Sequence, residues 1–222
     1  MARVGCPTRQ SGGASNRGRD IMGHAHPEAR VTVTMILATA YLLGSIPASY
    51  AVAFVWTGRD IRHIGDGNPG VMNVWDNIGL VPALIAAAGD IGKGTAAVGL
   101  AYWVSDSHML AVFAALAAVI GHDYSVFLRF RGGNGTATTV GAWIALAPLA
   151  TLPAVLLSFV LFVVTRRKRF SGFVGLTAVP LFAIALRYPT ELSLGIVLLL
   201  AILAAKIVAF EGFTPARTRV KR

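Results

Sequence analysis

The sequence predicts an all-α polytopic membrane protein with about seven transmembrane helices. Three observations carry that expectation. The chain is 55% hydrophobic with 14% charged residues, against roughly 25% charge in an ordinary soluble domain. Apolar runs near the length needed to cross a ~30 Å hydrocarbon core recur from Thr32 to the C-terminal region. The basic residues fall in short clusters at the ends of those runs, the placement that the positive-inside rule produces. This accounts for the net charge of +10, so nucleic acid is not an expected partner.

Residues 1–30 are rich in Gly, Ser and Arg with almost no large apolar side chains. They cannot bury a core, and the expectation is a disordered tail. No apolar segment with a small-residue cleavage site stands apart from the first span, so this is not a secretory signal. Met22 and Met35 are alternative starts. The single cysteine, Cys6, lies in this tail, which excludes a disulfide framework and a Cys/His metal site.

The first span, 35–56, is 22 residues long and reaches about 33 Å as a helix. Spans at 79–104 and 109–128 follow. The run 136–165 would make a helix of about 45 Å, too long for ordinary tilt. It contains Pro148 and Pro153, and proline ends or kinks a helix. It therefore divides into passes at 134–148 and 150–165. Spans at 172–186 and 192–210 complete seven. With the N-terminus outside, Arg59, Arg62, Arg129, Arg131, "RRKR" at 166–169 and the basic residues of 211–222 all fall inside, whereas six spans would strand "RRKR" outside. The five arginines of the N-terminal tail run against that bias. The expected organisation is a tail at 1–30, a membrane domain at 31–210 and a basic cytoplasmic tail at 211–222.

This orientation gathers the unusual polar stretches on one face. They are "GRDIRHIGDGNPGVMN" (58–73), "DIGKG" (90–94) and "RFRGGNGTATT" (129–139). Gly-rich backbone exposes successive N–H groups to an anion, and a helix N-terminus adds its dipole. Arginine supplies forked donors for phosphate oxygens. Together they point to a phosphorylated, water-soluble ligand meeting something carried by lipid. Plainer readings stand beside this one. Arg129 and Arg131 serve as topology signals, Asp90 and Lys93 can neutralise each other, and His122 and Asp123 can be interfacial residues. Charged groups inside a span are nonetheless functional candidates by default. "GDIGKGT" is not a Walker loop, because Ala87 takes the first glycine position and Gly94 follows Lys93.

Four stretches, "YLLGSIP" (41–47), "DIRHIGDGNPGVMN" (60–73), "DIGKG" (90–94) and "GHDYSVFLRFRGGNGTAT" (121–138), resemble in order and spacing the bacterial acyl-phosphate:glycerol-3-phosphate acyltransferases of the PlsY type. The resemblance covers essentially residues 35–210. It implies a seven-helix fold in the cell inner (plasma) membrane with the active site at the cytoplasmic face. It also implies transfer of a fatty acyl group from acyl phosphate to the 1-position of glycerol 3-phosphate, giving lysophosphatidic acid for phospholipid synthesis, with no metal, cofactor or thioester donor. Carried over by residue, Ser45, Arg62 and Lys93 are the expected catalytic groups. Asn68, Asn73, His122, Gly132, Gly133, Asn134, Gly135 and Thr138 are expected to bind substrate. Three departures qualify the match: Asp66 stands where a serine is expected, Asn134 where a lysine is expected, and "KIVAFEGFTPARTRVKR" lacks the His and Asn of the family's last motif. A catalytically weakened paralogue that binds a phosphorylated metabolite or lipid, and a small transporter, are the competing readings. Acyl-chain preference and oligomeric state are not legible in the sequence.

Overall fold

The structure, a computed structural model, describes residues 27–213; of the expected tails at 1–30 and 211–222, residues 1–26 and 214–222 lie outside the described residues, whereas 27–30 open the first helix and 211–213 end the last. The helices are α1 (Pro27–Ser45), α2 (Ala48–Thr57), α3 (Val71–Asn77), α4 (Leu80–Val104), α5 (His108–Asp123), α6 (Thr136–Leu146), α7 (Pro148–Thr165), α8 (Lys168–Ala185) and α9 (Thr190–Phe213). Short 3-10 turns occupy Ile61–His63 and Val126–Leu128.

Among the described residues six helices are long and apolar enough to cross a membrane, with α1 and α2 together forming the first at Arg30–Thr57. The expected fourth pass is different. It is the 11-residue α6, about 16 Å long. The shortfall has a physical reason. Residues 131–135 are not helical, and the left-handed backbone of Gly135 (φ 74°) holds off the helix until Thr136. An ion pair tests whether this half-helix counts as a pass: Lys168 Nζ at the start of α8 lies 2.6 Å from Asp76 Oδ1 in α3. α3 follows one crossing, and the start of α8 shares its end of the bundle only if α6 is a crossing. At the opposite end the Leu149 N–H donates to the Tyr188 hydroxyl (3.3 Å). The seven-pass topology therefore holds as six long helices and one short one.

The break within 136–165 falls at Pro148, which opens α7, while Pro153 is carried inside α7. An interior proline is tolerated in a membrane helix where neighbouring groups re-satisfy the freed backbone. Pro47 acts more sharply. It lacks an N–H and separates α1 from α2, leaving Ser45 at the end of α1.

Glycines set how closely the inner helices approach. A Cβ on Gly44 would strike the Ala118 carbonyl, and one on Gly121 the Tyr41 carbonyl. α1 and α5 thus meet backbone to backbone. The same reciprocity joins α4 to α6, where Gly94 abuts the Thr138 carbonyl and Gly141 the Ile91 carbonyl. Such small-residue contacts let membrane helices gain dispersion energy by close approach. These two crossings carry Ser45, Lys93, His122 and Thr138 toward one place.

Candidate functional site

A narrow cavity of about 10 Å³ opens among Ser45, Ile46, Ser49, Asp90, Lys93 and His122, and Gly133 also lines it. At its centre is a buried charged cluster. Lys93 Nζ lies 2.9 Å from Asp90 Oδ1, donates to the Ile46 carbonyl at 2.9 Å and is 2.7 Å from His122 Nδ1. The Ile46 carbonyl is available because the helix breaks just beyond it, at Pro47. An ammonium group only donates, so His122 Nδ1 accepts and the imidazole proton sits on Nε2. That assignment follows from the hydrogen-bond network. Lys93 thus makes two hydrogen bonds and pairs with Asp90 Oδ1 by charge alone. The other Asp90 oxygen, Oδ2, accepts from the Ser49 hydroxyl at 2.6 Å. Breaking such a pair by removing one partner strands a charge.

The glycine loop closes one side. Arg129 and Phe130 both adopt left-handed backbone (φ 55° and 61°), which costs an L-residue roughly 1–2 kcal/mol each. Backbone bonds hold the reversal: Phe130 N–H donates to the Ser125 carbonyl at 2.8 Å and Gly132 N–H to the Asp123 carbonyl at 3.2 Å. The chain then runs back against the end of α5. A Cβ on Gly133 would lie 2.5 Å from His122 Nε2 and 3.3 Å from Asn68 Oδ1, and one on Gly135 2.6 Å from Asp123 Oδ1. Only glycine allows this approach. Gly135 has φ 74° as well, so a side chain there would be strained in addition to crowded.

Several polar atoms at the site are buried without a hydrogen-bond partner: Ser45 Oγ, Asn68 Oδ1, Asn134 Oδ1, Thr138 Oγ1, Asp123 Oδ1 and the ion-paired Asp90 Oδ1. Each such group costs about 1–3 kcal/mol, and unsatisfied groups gathered at one place mark reserved binding capacity. The Ser45 backbone carbonyl is used separately, accepting from Ser125 Oγ at 2.5 Å.

The loop 58–79 packs over the same end. Asn73 organises it, its amide donating to the carbonyls of Ile64 and Asn68 at 2.9 Å each. Asn77 Nδ2 donates to Asn73 Oδ1 at 2.7 Å. Asn73 therefore holds the loop and Asn68 faces the glycines. Asp66 is exposed and accepts the Asn68 N–H at 3.0 Å, the turn-forming role a serine hydroxyl can also fill. The guanidinium of Arg62 does not line the cavity. It grips Asp60 through Nε–Oδ1 (3.0 Å) and Nη2–Oδ2 (2.6 Å) and lies 5.5 Å from the Tyr50 ring centroid. That bond holds the Asp60 carboxyl below its ordinary range and raises the Arg62 guanidinium.

Of the expected residues, Ser45, Lys93, His122 and Gly133 line the cavity, while Asn68, Gly132, Asn134, Gly135 and Thr138 belong to its walls or immediate support. The sequence reading did not place Asp90, Ser49, Ser125 and Asp123 in the site. Asp90 carried a signal, since a carboxylate three residues before a lysine within a span marks a buried pair; the two serines carried none. Lys206 of α9 also reaches the site's base. It donates to the Asp123 carbonyl at 3.3 Å and sits 4.0 Å from the Tyr124 ring centroid.

The family model described as glycerol-3-phosphate acyltransferase matches residues 34–211. A glycerol-3-phosphate acyltransferase of Desulforamulus reducens is 39% identical over 152 residues, 68% of this chain and 76% of that protein. One of Thermus thermophilus is 41% identical over 153 residues, covering 69% and 76% respectively. Among solved structures, PlsY (YgiH), an integral membrane glycerol 3-phosphate acyltransferase in its glycerol 3-phosphate form, matches with a TM-score of 0.73 at 27% identity, over 83% of this chain and 94% of that one. The lysophosphatidic acid form of PlsY matches at 0.71.

Proposed function

The chain belongs to the glycerol-3-phosphate acyltransferase family, and from that premise we propose that it transfers a fatty acyl group from acyl phosphate to the 1-hydroxyl of glycerol 3-phosphate. The observation that carries this reading is the unpartnered, fully buried Ser45 hydroxyl lining one narrow cavity with Lys93, Asp90, His122 and Gly133. The relatives named above and the glycerol 3-phosphate form of PlsY support the acceptor. The resemblance of the four motifs supports the donor.

In the proposed reaction the 1-hydroxyl oxygen attacks the acyl carbonyl carbon, the carbonyl–phosphate oxygen bond breaks, and inorganic phosphate leaves. Asp90 is ion-paired through Oδ1 with Lys93 and accepts from Ser49 through Oδ2, and His122 Nδ1 is engaged, so in this reading the hydroxyl proton departs on a phosphate oxygen. The chain's contribution is then positioning and charge stabilisation. Ser45 Oγ and His122 Nε2–H hydrogen-bond the reacting groups, Lys93 lends its charge to a phosphate, and the backbone of 132–135 with Asn68, Asn134 and Thr138 cradles the other. Arg62 joins by exchanging Asp60 for a substrate phosphate. Asn73 acts through the loop it holds. Residues 31–210 form the membrane unit in this reading, set in the inner (plasma) membrane with the site at the cytoplasmic face, as the basic clusters of that end favour.

Purified protein with acyl phosphate and glycerol 3-phosphate is expected to release phosphate. Ser45→Ala and Lys93→Ala are each expected to lower the rate about 30- to 1000-fold, the value of a lost charge-stabilising contact. Near-normal rates in both variants would overturn the site assignment. Retention of glycerol 3-phosphate without turnover would favour the weakened paralogue, which Asn134 and the altered end of the chain also favour. Orientation has its own check. With Cys6 replaced by alanine, a cysteine at the exposed Asp106 is expected to react with an impermeant thiol reagent on intact cells, and one at the exposed Arg59 to remain unlabelled. The reverse pattern would invert the topology.

A further inference from the structure

A second cleft lies apart from the catalytic cavity and shares none of its lining residues. Met72 and Asp76 of α3 form one wall; residues 166–169 and Phe170 form the other. Its volume of about 480 Å³ is within the roughly 300–1,000 Å³ usual for small-ligand sites. We propose that it holds the phosphate headgroup of an anionic phospholipid from the surrounding leaflet.

The turn that builds it has a fixed shape. Arg166 adopts left-handed backbone (φ 56°) and closes α7 by donating its N–H to the Phe162 carbonyl at 2.8 Å. Lys168 is anchored at 2.6 Å on Asp76, and its ammonium lies 4.1 Å from the Trp75 ring centroid. Trp75 packs edge-on against Phe162, with centroids 5.5 Å apart. The four consecutive basic residues are therefore wound around a cleft docked on α3. Topology alone asks for positive charge near the end of a span and does not require a shaped receptor for an anion. With Lys168 paired to Asp76, Arg166 and Arg167 still bring two positive charges to the cleft, and arginine forks suit phosphate oxygens.

The apolar rim identifies a lipid as the source of that phosphate. Val164, Phe170 and Phe173 are 75%, 51% and 67% exposed on the ends of α7 and α8 that adjoin the cleft. In the membrane they offer acyl chains a surface directly beneath a headgroup. A free phosphate would leave that surface unused. Basic pockets between helices on the cytoplasmic side are the usual form of such sites.

The test counts lipid retained by the full-length protein in detergent, by native mass spectrometry, after exposure to phosphatidylglycerol or phosphatidylcholine. Phosphatidylglycerol is expected to be retained and phosphatidylcholine to wash away. Replacing Arg166 and Arg167 together by Gln is expected to weaken phosphatidylglycerol binding roughly 30-fold, at about fivefold for each cation near a membrane surface. Arg166→Lys with Arg167→Lys keeps the charge and is expected to keep most of the binding. Equal retention of the two lipids, no loss in the Gln variant, or equal loss in the Gln and Lys variants would overturn the proposal. Displacement of the lipid by millimolar inorganic phosphate would overturn it too, by making a soluble anion the occupant.

Discussion

α5 and α7 are apolar helices of similar length in contact with different solvents. The α5 sequence HMLAVFAALAAVIGHD holds five alanines and a glycine, and 61% of the apolar stretch it belongs to is buried in protein. The α7 sequence PLATLPAVLLSFVLFVVT holds two alanines among leucines, valines and phenylalanines, and 17% of it is buried. Hydropathy sends both into the membrane; side-chain size decides which neighbours they take. Lipid tails are as apolar as leucine, so large side chains gain little by choosing protein, whereas small ones let backbones touch. Helices α4, α5 and α6 with the end of α1 enclose the buried charges, and the α7–α8 pair carries its charges at the rim.

The contrast breaks most readily at its charged residues. Lys93→Met strands the buried Asp90 and is expected to cost about 3–5 kcal/mol of stability. Lys168→Met removes a partly exposed partner of Asp76 and is expected to cost under about 1 kcal/mol. Thermal unfolding in detergent compares the two, and equal losses would erase the distinction between interior and rim.

Within α4 the same comparison can be made with one residue type. Gly94→Val drives a side chain into the Thr138 carbonyl, whereas a Cβ on Gly99 meets nothing within 4 Å. Overpacking is expected to cost the Gly94 variant roughly 1–3 kcal/mol, and Gly99→Val about 0.5 kcal/mol or less. Comparable unfolding midpoints would show that α4 and α6 do not meet closely.

The glycine loop sharpens the comparison through binding. Asn134→Lys restores a cation beside buried, unpartnered acceptors and is expected to lower the KM for glycerol 3-phosphate several-fold, worth about 1 kcal/mol with partial screening. Asp66→Ser is expected to add less, because that carboxylate is exposed and serves the turn at Asn68. An unchanged or raised KM in the folded Asn134→Lys variant would remove this loop from the phosphate site.

The smallest effect belongs to the Asp60–Arg62 pair, with side chains 21% and 31% exposed. The folded-state Asp60 pKa lies below its ordinary 3.8, chiefly through the Arg62 hydrogen bond. Its stabilisation is therefore complete above the unfolded pKa and is lost as pH falls through the lower folded value. Relative to wild type, Asp60→Asn is expected to lose under about 1 kcal/mol at neutral pH, with the difference vanishing under acid. A difference that instead grew below pH 4 would contradict the sign.

The sequence made the spans and the divided fourth run legible because hydrophobic length and proline are local signals. It also located the glycine loop, Lys93 and Ser45 through their motif context. The length of α6 was not legible: it starts after the left-handed Gly135 and closes at Ala147, and backbone conformation leaves no mark on hydropathy. The resemblance marked Asp66 as a departure from an expected serine, but not that its carboxylate accepts the Asn68 N–H in an exposed turn. The partnership of Ser49 with Asp90 and of Ser125 with Ser45 spans 41 and 80 residues, and nothing local announces either.

The pairing of Lys93 with Asp90 bears on the speed of capture. With Lys93 paired to Asp90 and His122 carrying one proton, the cluster has almost no net charge and draws an anion weakly from a distance. Attraction at long range falls to exposed cations such as Arg59, Arg129 and Arg131. Their field reaches about 10 Å at 0.1 M salt and about 3 Å at 1 M. Rising ionic strength therefore slows the encounter with a dianionic acceptor and lowers kcat/KM, while the enclosed chemical step keeps its rate.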